Sequence, residues 1–577
     1  MAPYAAERLS GRFLTRLVKL LESDASVMIW EQHGGGKKPQ PVDTPAVGQD
    51  RVEPPCRTVD QQRAVEAVIK VATGHRRRPV VLTSDRGRGK SAAFGIAAAR
   101  LIQRGHRRIL LTGPRLQSVA AVMEHARRLL PGESKAIRYV APDELLRQPE
   151  QADLLLVDEA AAIPTPLLES LLRRYARIAF STTIHGYEGT GRGFALRFSR
   201  ILDRYTNSWK SMPLSAPIRW SAGDPLERLV FRMLALDANA TPDDVLQGAE
   251  TAECKIERFN RDRLLDDEQA LSELFGLLIQ AHYRTRPLDL RHLLDGPNLS
   301  VYVLRFRRHV VGTALVAEEG GFDPQTAREI WAGKRRPHGH LLPETLAVHQ
   351  GLVDAPLLRC ARIMRIAVHP LLQRRGLGKR LVTHITEQAR CDGNAYIGSS
   401  FGVTPDLLSF WAGVGWSPAR LSIQRGSSSG AHSLVMLKPL AAAGETLVAT
   451  AGERFAAQFP HQLGDSLRDL DAGLACSLMQ CAGLSAAEPS EADLLDVRAF
   501  AFEQRLLEVS IGSVWRWACR VLMTSSRASR LDENELVLLV TRVLQKHDWQ
   551  VCARRASLSG RAQAQAVLRA AVAKLLD

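Results

Sequence analysis

Eight residues constrain this chain more than any other stretch: Ser84-Asp85-Arg86-Gly87-Arg88-Gly89-Lys90-Ser91. They follow the apolar run VVLT at 80–83 and precede a helical pattern, so they read as strand, loop, helix. Gly89, Lys90 and Ser91 satisfy the phosphate-binding pattern G-x-x-x-x-G-K-[ST], with Ser84 standing where the first glycine is usual. A loop of this kind turns backbone N–H groups onto phosphate oxygens, with a helix N-terminus behind them. Gly87 and Gly89 let the backbone wrap closely, Lys90 reaches terminal phosphates and Ser91 ligates magnesium. Asp85, Arg86 and Arg88 complete the candidate nucleotide-binding loop.

Such a loop needs a sheet to stand on. Three further apolar runs, ILLT at 109–112, LLLVD at 154–158 and IAFSTT at 178–183, alternate with helical stretches. Runs this short, bounded by Gly, Pro, Asp or Arg, predict strands buried on both faces of a parallel sheet. Asp158 and Glu159 end the third run. Asp158 is expected to hold the magnesium and its water, and Glu159 to polarise the attacking water. Upstream, Gln61 stands where helicase-like ATPases often read the adenine edge. Downstream come Ser181-Thr182-Thr183, the Gly-rich GYEGTGRG at 186–193 and Pro217-Ile218-Arg219-Trp220. Arg219 and Arg192 compete for the role of stabilising charge on the phosphates.

Charge narrows the partner. The chain has 577 residues and a formal net charge of +16, with a pI near 9.8. That points to a polyanion, nucleic acid before membrane. No run of about eighteen apolar residues suggests a membrane span, and Met1 to Arg16 lacks the pattern of a signal peptide. None of the eight cysteines forms a CxxC pair, so free thiols in a reducing cytoplasm are expected.

A second motif begins on the strand RIMRIAVH at 362–369. After Ile366, Ala367 and Val368 come His369-Pro370 and then Gln373-Arg374-Arg375-Gly376-Leu377-Gly378-Lys379, a Q-x-x-G-x-G element opening a helix. It resembles the signature loop of the GNAT acetyltransferases. Glycines 376 and 378 at a helix N-terminus offer N–H donors to a pyrophosphate, and Arg374, Arg375 and Lys379 add positive charge. The end of the strand offers backbone groups to the pantetheine arm and the thioester. The aromatic block Phe410-Trp411-Ala412-Gly413-Val414-Gly415-Trp416 is expected to close the acyl end.

An ATPase and a GNAT module in one basic chain resemble the bacterial tRNA(Met) cytidine acetyltransferases, relatives of the eukaryotic RNA cytidine acetyltransferases. The likeness rests on DRGRGKSA (85–92), VDEAAAIP (157–164), GYEGTGRGF (186–194), PIRW (217–220), AHYRTRPLDLR (281–291), WAGKRRPHG (331–339), RIAVHPLLQRRGLGKRL (365–381) and SFGVTPDLLSFW (400–411), in the family's order. The resemblance implies acetylation of the 4-amino group of the wobble cytidine of elongator tRNA(Met). Acetyl-CoA would be the donor, with ATP or GTP and Mg required, and no obligate protein partner is implied. It implies nucleotide contacts from Gln61, the loop through Gly89-Lys90-Ser91, and Arg219. It implies acetyl-CoA contacts from Ile366, Ala367, Val368 and Gln373 through Lys379. Two further contacts, usually a Glu and an Arg, fall on Asp406, a shortened acid, and Gly413, which lacks the cation.

The resulting organisation is α/β and multidomain. A short helical segment and linker at 1–50 stand where the family carries a longer N-terminal domain. A helicase-like parallel-sheet ATPase follows at 51–260, a GNAT domain at 261–440 and a helical, tRNA-binding region at 441–577. Residues 1–31 read as one helix with Leu14, Leu17, Leu20 and Leu21 near helical spacing. His349, Glu344 and a water chain are candidates for the base that takes a proton from the cytosine amine, with His349 placed first. The tail divides by charge, with 4 basic and 11 acidic residues over 441–510 and 11 basic and 5 acidic over 511–577. Its basic end, with Trp515 and Trp517, is the expected added grip on tRNA. Two other readings share these residues: a protein or small-amine acetyltransferase with a regulatory ATPase, and an RNA-remodelling ATPase that senses acyl-CoA.

Overall fold

The computed structural model describes residues 10–32, 35–37, 52–106, 108–131, 136–184, 191–206, 208–281, 287–426, 429–483, 488–524 and 526–576. The N-terminal helix is shorter than expected, α1 at Arg12–Ser23. The chain then extends into β1 (Ile29–Glu31), which pairs antiparallel with β2 (Gly35–Lys37). Gly35 and Gly36 disfavour a continued helix here. The buried positions of α1 are Arg16 and Leu20, while Leu14 is exposed. Arg16 accounts for this: its guanidinium meets Glu268 at 2.7 Å and the carbonyls of Arg232 and Met233 at 2.8 Å. The helix is thus pinned to segments more than 200 residues away.

Six strands form the first sheet: β3 (Val80–Ser84), β4 (Ile109–Thr112), β5 (Ile137–Tyr139), β6 (Leu154–Val157), β7 (Ile178–Thr183) and β8 (Lys210–Leu214). Their order is β5-β4-β6-β7-β3-β8, and every pair is parallel. The strands β3, β4 and β6 are buried throughout, as continuous apolar runs in a covered sheet must be. One face is covered by α2 (Val59–Thr73) and α3 (Lys90–Gln103), the other by α4 (Thr165–Arg174). Thr58 caps α2, its hydroxyl accepting from Gln61 N–H at 3.2 Å. Beyond β8 the chain forms α5 (Pro225–Met233).

The second sheet has seven strands: β9 (Cys254–Arg258), β10 (Leu299–Phe306), β11 (His309–Glu319), β12 (Cys360–Val368), β13 (Tyr396–Gly402), β14 (Ser417–Arg425) and β15 (His432–Pro439). Their order is β14-β15-β13-β12-β11-β10-β9. Because β9 pairs with β10, this sheet starts before the expected boundary at 260/261. Only β12 and β13 run parallel, and their pairing stops at Ile363↔Ser399. By contrast, β12 stays paired with β11 as far as Val368. The register shifts beside Met364, and from there β12 leaves β13. Around this sheet lie α6 (Glu268–Ala281), α7 (Leu341–Gln350), α8 (Leu377–Cys391) and α9 (Pro405–Ala412).

From α10 (Ala442–Leu463) the described chain is helical to Leu576, including α11 (Glu491–Phe502) and α12 (Leu507–Thr524). One continuous core joins this region to the second sheet. Ile363, Leu381 and Trp411 share it with Val514, Leu522 and Leu568. Trp517 is buried in it, so this ring is unavailable for stacking on RNA, contrary to expectation. Trp515 lies beside His461, with ring centroids 5.2 Å apart. No helix among the described residues is long and apolar enough to cross a membrane.

Candidate functional site

The first site lies at the C-terminal edge of the six-stranded sheet. Gly87 and Gly89 have φ of 83° and 85°, a region that L-residues with side chains avoid. A Cβ at Gly87 would meet the Trp220 ring at 2.8 Å, and one at Gly89 would meet Ile218 at 2.4 Å. The PIRW segment therefore packs directly on the loop, fastened by Ile218 N–H donating to the Gly87 carbonyl at 3.1 Å. Arg219, between these two contacts, is exposed. The side chain of Arg192 and the stretch 185–190 lie outside the described residues, as do 282–286.

The start of α3 and the strand β7 converge on Asp158 at the end of β6, which is fully buried. Ser91 Oγ donates to its Oδ2 at 2.8 Å, and Ser181 Oγ donates to Oδ1. Burial pushes the Asp158 carboxyl up, while these hydroxyls and Lys90 pull it down. Beside it, Thr183 Oγ1 donates to Glu159 at 3.2 Å, and Glu159 itself takes φ of 50°. Lys90 is 6% exposed, and burial lowers its pKa against the pull of Glu159, Asp158 and Asp85. Its Nζ donates to Ser84 Oγ at 2.9 Å. The serine in place of the usual glycine thus has a function: it holds the lysine. These residues fit a nucleotide, because the loop is a glycine cradle over a buried ammonium. The Ser91–Asp158 pair also suits magnesium, which takes one or two protein ligands and completes its shell with phosphate and water.

Two expected nucleotide contacts are placed otherwise. Arg88 turns inward, its Nη2 2.6 Å from Glu227 of α5 and its guanidinium over the Trp220 ring. Glu227 also accepts from Trp220 Nε1 at 2.8 Å. This triad, built on buried Arg88, fixes the loop against α5, so the Arg88 guanidinium is engaged with protein. Gln61 is likewise committed, with Nε2 donating to the Gly89 carbonyl at 3.2 Å and Oε1 accepting from Arg57 N–H at 2.8 Å. It braces the loop from behind instead of presenting a free amide to a base.

The second site is the gap between β12 and β13. From Met364 to Val368, which includes Ile366 and Ala367, β12 has β11 on one side and no strand on the other. Its polar backbone there is open to a ligand. Gly376, at φ 83°, starts the 15-residue α8 with open space where a Cβ would be. Gly378 approaches Phe410, a Cβ there falling 3.2 Å from its ring. Gln373 Nε2 donates to the Val368 carbonyl at 2.9 Å and ties the loop to the strand end. Arg374 is exposed and lies 4.0 Å from Asp406. Lys379 occupies the place left by Gly413: a Cβ at 413 would be 3.1 Å from Lys379 Nζ. A cation is thus present there despite the glycine. These features fit a coenzyme A pyrophosphate and pantetheine arm.

Four of the predicted residues are placed differently. Leu377 is buried in a core cluster, so only its backbone faces outward. Arg375 donates to the Ala249 carbonyl at 2.9 Å, tying the loop to the segment before β9. His349 is exposed on α7 beside Arg420 of β14. It does not stand against the open edge of β12, and Glu344 lies 3.9 Å from Arg336.

Comparison with known proteins identifies the two modules that carry these sites. Residues 81–237 match the family model for the helicase domain of RNA cytidine acetyltransferase NAT10/TcmA. Residues 273–394 and 381–441 match the model for GNAT acetyltransferase 2. The chain is 54% identical to the tRNA(Met) cytidine acetyltransferase TmcA of Nitrosococcus halophilus, over 98% of this chain and 78% of that protein. It is 38% identical to the Vibrio cholerae protein of that name, over 90% of this chain and 72% of that protein. Identity to the Haloferax volcanii protein is 36%, over 100% of this chain and 80% of that protein. With both modules, their order and near full-length identity in agreement, the chain belongs to the tRNA(Met) cytidine acetyltransferase TmcA family.

Proposed function

We propose that this chain transfers acetyl from acetyl-CoA to the 4-amino group of the wobble cytidine of elongator tRNA(Met), and that ATP or GTP hydrolysis remodels the RNA for that step. The observation that carries this reading is the union of two built sites in one chain. The Lys90–Ser91–Asp158–Glu159 cluster ends one sheet, and the unpaired edge of β12 opens over the N-terminus of α8 in the other. A thioester is already activated, so acetyl transfer itself needs no nucleotide. An anticodon base is partly stacked, and chemistry on it requires extraction into a pocket.

In this reading Lys90 and the Gly87–Gly89 backbone hold the phosphates, Ser91 and Asp158 hold Mg, and Glu159 orients water. Arg219 is exposed beside the loop, free to reach bound nucleotide. Gln373 to Lys379 hold the CoA pyrophosphate, with Arg374 and Asp406 at the rim and Lys379 over Gly413. Acetyl-CoA supplies the activated acyl group. The chain positions it along Ile366–Val368 and directs backbone N–H groups at the thioester carbonyl. Proximity to the amine then does most of the work. A tRNA substrate and eight free thiols suit action in the cytoplasm.

Purified protein incubated with labelled acetyl-CoA, ATP and bulk tRNA, followed by nucleoside analysis, tests this. Label in N4-acetylcytidine, lost when ATP is omitted, is the expected result. RNA-stimulated ATP hydrolysis with no label in RNA would overturn it.

A further inference from the structure

The β14 edge of the second sheet carries a cleft that neither site uses. His349 and Gln350 of α7, Arg420 of β14, and Phe455, Gln458 and Gln462 of α10 enclose a cavity of about 110 Å³. Two of these side chains are incomplete within the protein. Arg420 is half-buried, burial alone lowers its pKa, and no carboxylate pairs with it among the described residues. Gln350 is 6% exposed, and its Nε2 donates to the Ala419 carbonyl at 2.5 Å, which fixes the orientation of the amide. Its Oε1 is then left buried without a hydrogen-bond partner. A desolvated cation without a counter-charge and a buried acceptor without a donor are both unfavourable. Together they describe a ligand.

That ligand must bring an acceptor or negative charge to Arg420 and a hydrogen-bond donor to Gln350. A phosphate satisfies Arg420 and leaves Gln350 Oε1 unpaired. An amine satisfies Gln350 and is repelled by Arg420. A nucleobase edge, with ring acceptors beside an exocyclic amine, supplies both. The cleft is far below the roughly 300 Å³ at which drug-sized pockets begin, which suits one heterocycle. The amides of Gln458 and Gln462 add donors and acceptors at its rim.

Its location fits RNA as well. Arg420 pairs with Val435, and Val435 pairs with Ser400. Ser400 immediately follows the last residue of β13 that still pairs with β12. At about 4.8 Å per strand, the cleft wall stands roughly 10 Å from the lip of the β12–β13 gap. Its walls α7 and α10 also lie on one face of the sheet, packing on Tyr396, Val435 and Leu437. We infer that this cleft receives an unstacked base that flanks the target cytidine. The inference rests on the RNA-acetylation reading above, and it makes Arg420 and Gln350 RNA-positioning residues.

The test uses the full chain and the anticodon stem-loop of tRNA(Met), intact or carrying a single abasic site at each position flanking the target. Arg420→Ala is expected to raise KM for intact RNA about tenfold, with kcat and acetyl-CoA affinity held within about twofold. One abasic RNA is expected to impose a similar loss on the wild type and no further loss on the variant. Equal KM for variant and wild type on intact RNA overturns the inference. So does a variant penalty that persists in full on every abasic RNA, which would mark Arg420 as merely structural. If the wild type acetylates no cytidine, the underlying reading fails on its own account. Direct binding of a fluorescent stem-loop to both proteins still reads the cleft in that case, and equal affinities overturn it.

Discussion

In the proposed reading, Lys90 is a side chain kept ready for phosphate. It is a buried ammonium, and burial alone would favour its neutral form. Asp158, Glu159 and Asp85 oppose that, and Ser84 gives it an acceptor. Lys90→Ala should abolish ATP hydrolysis and with it the acetylation of folded tRNA, measured as phosphate release and labelled N4-acetylcytidine. Wild-type acetylation by this variant would sever the coupling between the two activities. Glu227 carries a different burden, since it is the counter-charge of buried Arg88 and the acceptor for Trp220. Removing one partner of a buried pair leaves the other uncompensated, at a cost of about 3–5 kcal/mol. Glu227→Ala should lower the urea midpoint accordingly, and Glu227→Gln, which keeps an acceptor for Trp220, should lose less. Equal midpoints for Glu227→Ala and wild type would show the triad to be energetically idle.

At the scale of elements, the decisive event is the parting of β12 from β13 after Ile363. Gly376 opens α8 beside that gap at φ 83°. An alanine there meets no atom but adopts the left-handed region at a cost of about 1–2 kcal/mol. Gly376→Ala should therefore weaken acetyl-CoA binding roughly tenfold by calorimetry while leaving ATP hydrolysis intact, and unchanged affinity would remove this turn from the site. In the tail, Ser490 and Asp493 cap α11, and Arg516 of α12 grips Asp493. That hydrogen bond, with the one from Ser490, holds the Asp493 carboxyl well below its usual range. A carboxyl depressed in the folded state stabilises it above the unfolded value of about 3.9. The contribution is lost as pH falls further, through the folded value. Asp493→Asn should flatten the acid limb of the stability profile below about pH 4, and an unchanged limb would contradict the role given to the pair. Strand and helix periodicity made most of these elements legible in advance. It located the loops but not the directions of their side chains, which long-range partners decide. Arg88 looks like a phosphate ligand until Glu227, 139 residues later, turns it inward. Leu377 and Trp517 likewise sit in motifs yet pack in cores. The strand β9 escaped because its partner β10 lies more than 40 residues on, and the polar sequence CKIER carries no strong strand signal. His349 was singled out for its chemistry, and only tertiary structure sets it beside Arg420.

At the scale of the whole molecule, one contact among the described residues links segments that flank the two sites. The chain leaves Glu159, passes a 3₁₀ turn at Ala160–Ala162 and reaches Pro164 and Pro166 at the start of α4. A Cβ placed on Gly430, in the β14–β15 hairpin, would lie 3.1 Å from Pro164 and 3.6 Å from Pro166. The same hairpin touches the other side of the acyl gap, since a Cβ on Gly402 at the end of β13 would lie 3.3 Å from Ser429 and 3.4 Å from Ala431. A shift of the segment after Glu159 therefore bears on the lip of β13 through this hairpin. Packed elements transmit displacement in this way because they are not freely compressible. Replacing Pro164 by Gly and Pro166 by Ala removes the ring atoms nearest Gly430 without touching either site. The double variant should keep RNA-stimulated ATP hydrolysis and acetyl-CoA affinity but consume several-fold more ATP for each acetyl group transferred. The check is phosphate release and labelled N4-acetylcytidine counted in one reaction. Because the ratio cancels any uniform loss of folded protein, a rise reports coupling itself, and an unchanged ratio would mean that hydrolysis acts on the RNA without passing through this hairpin.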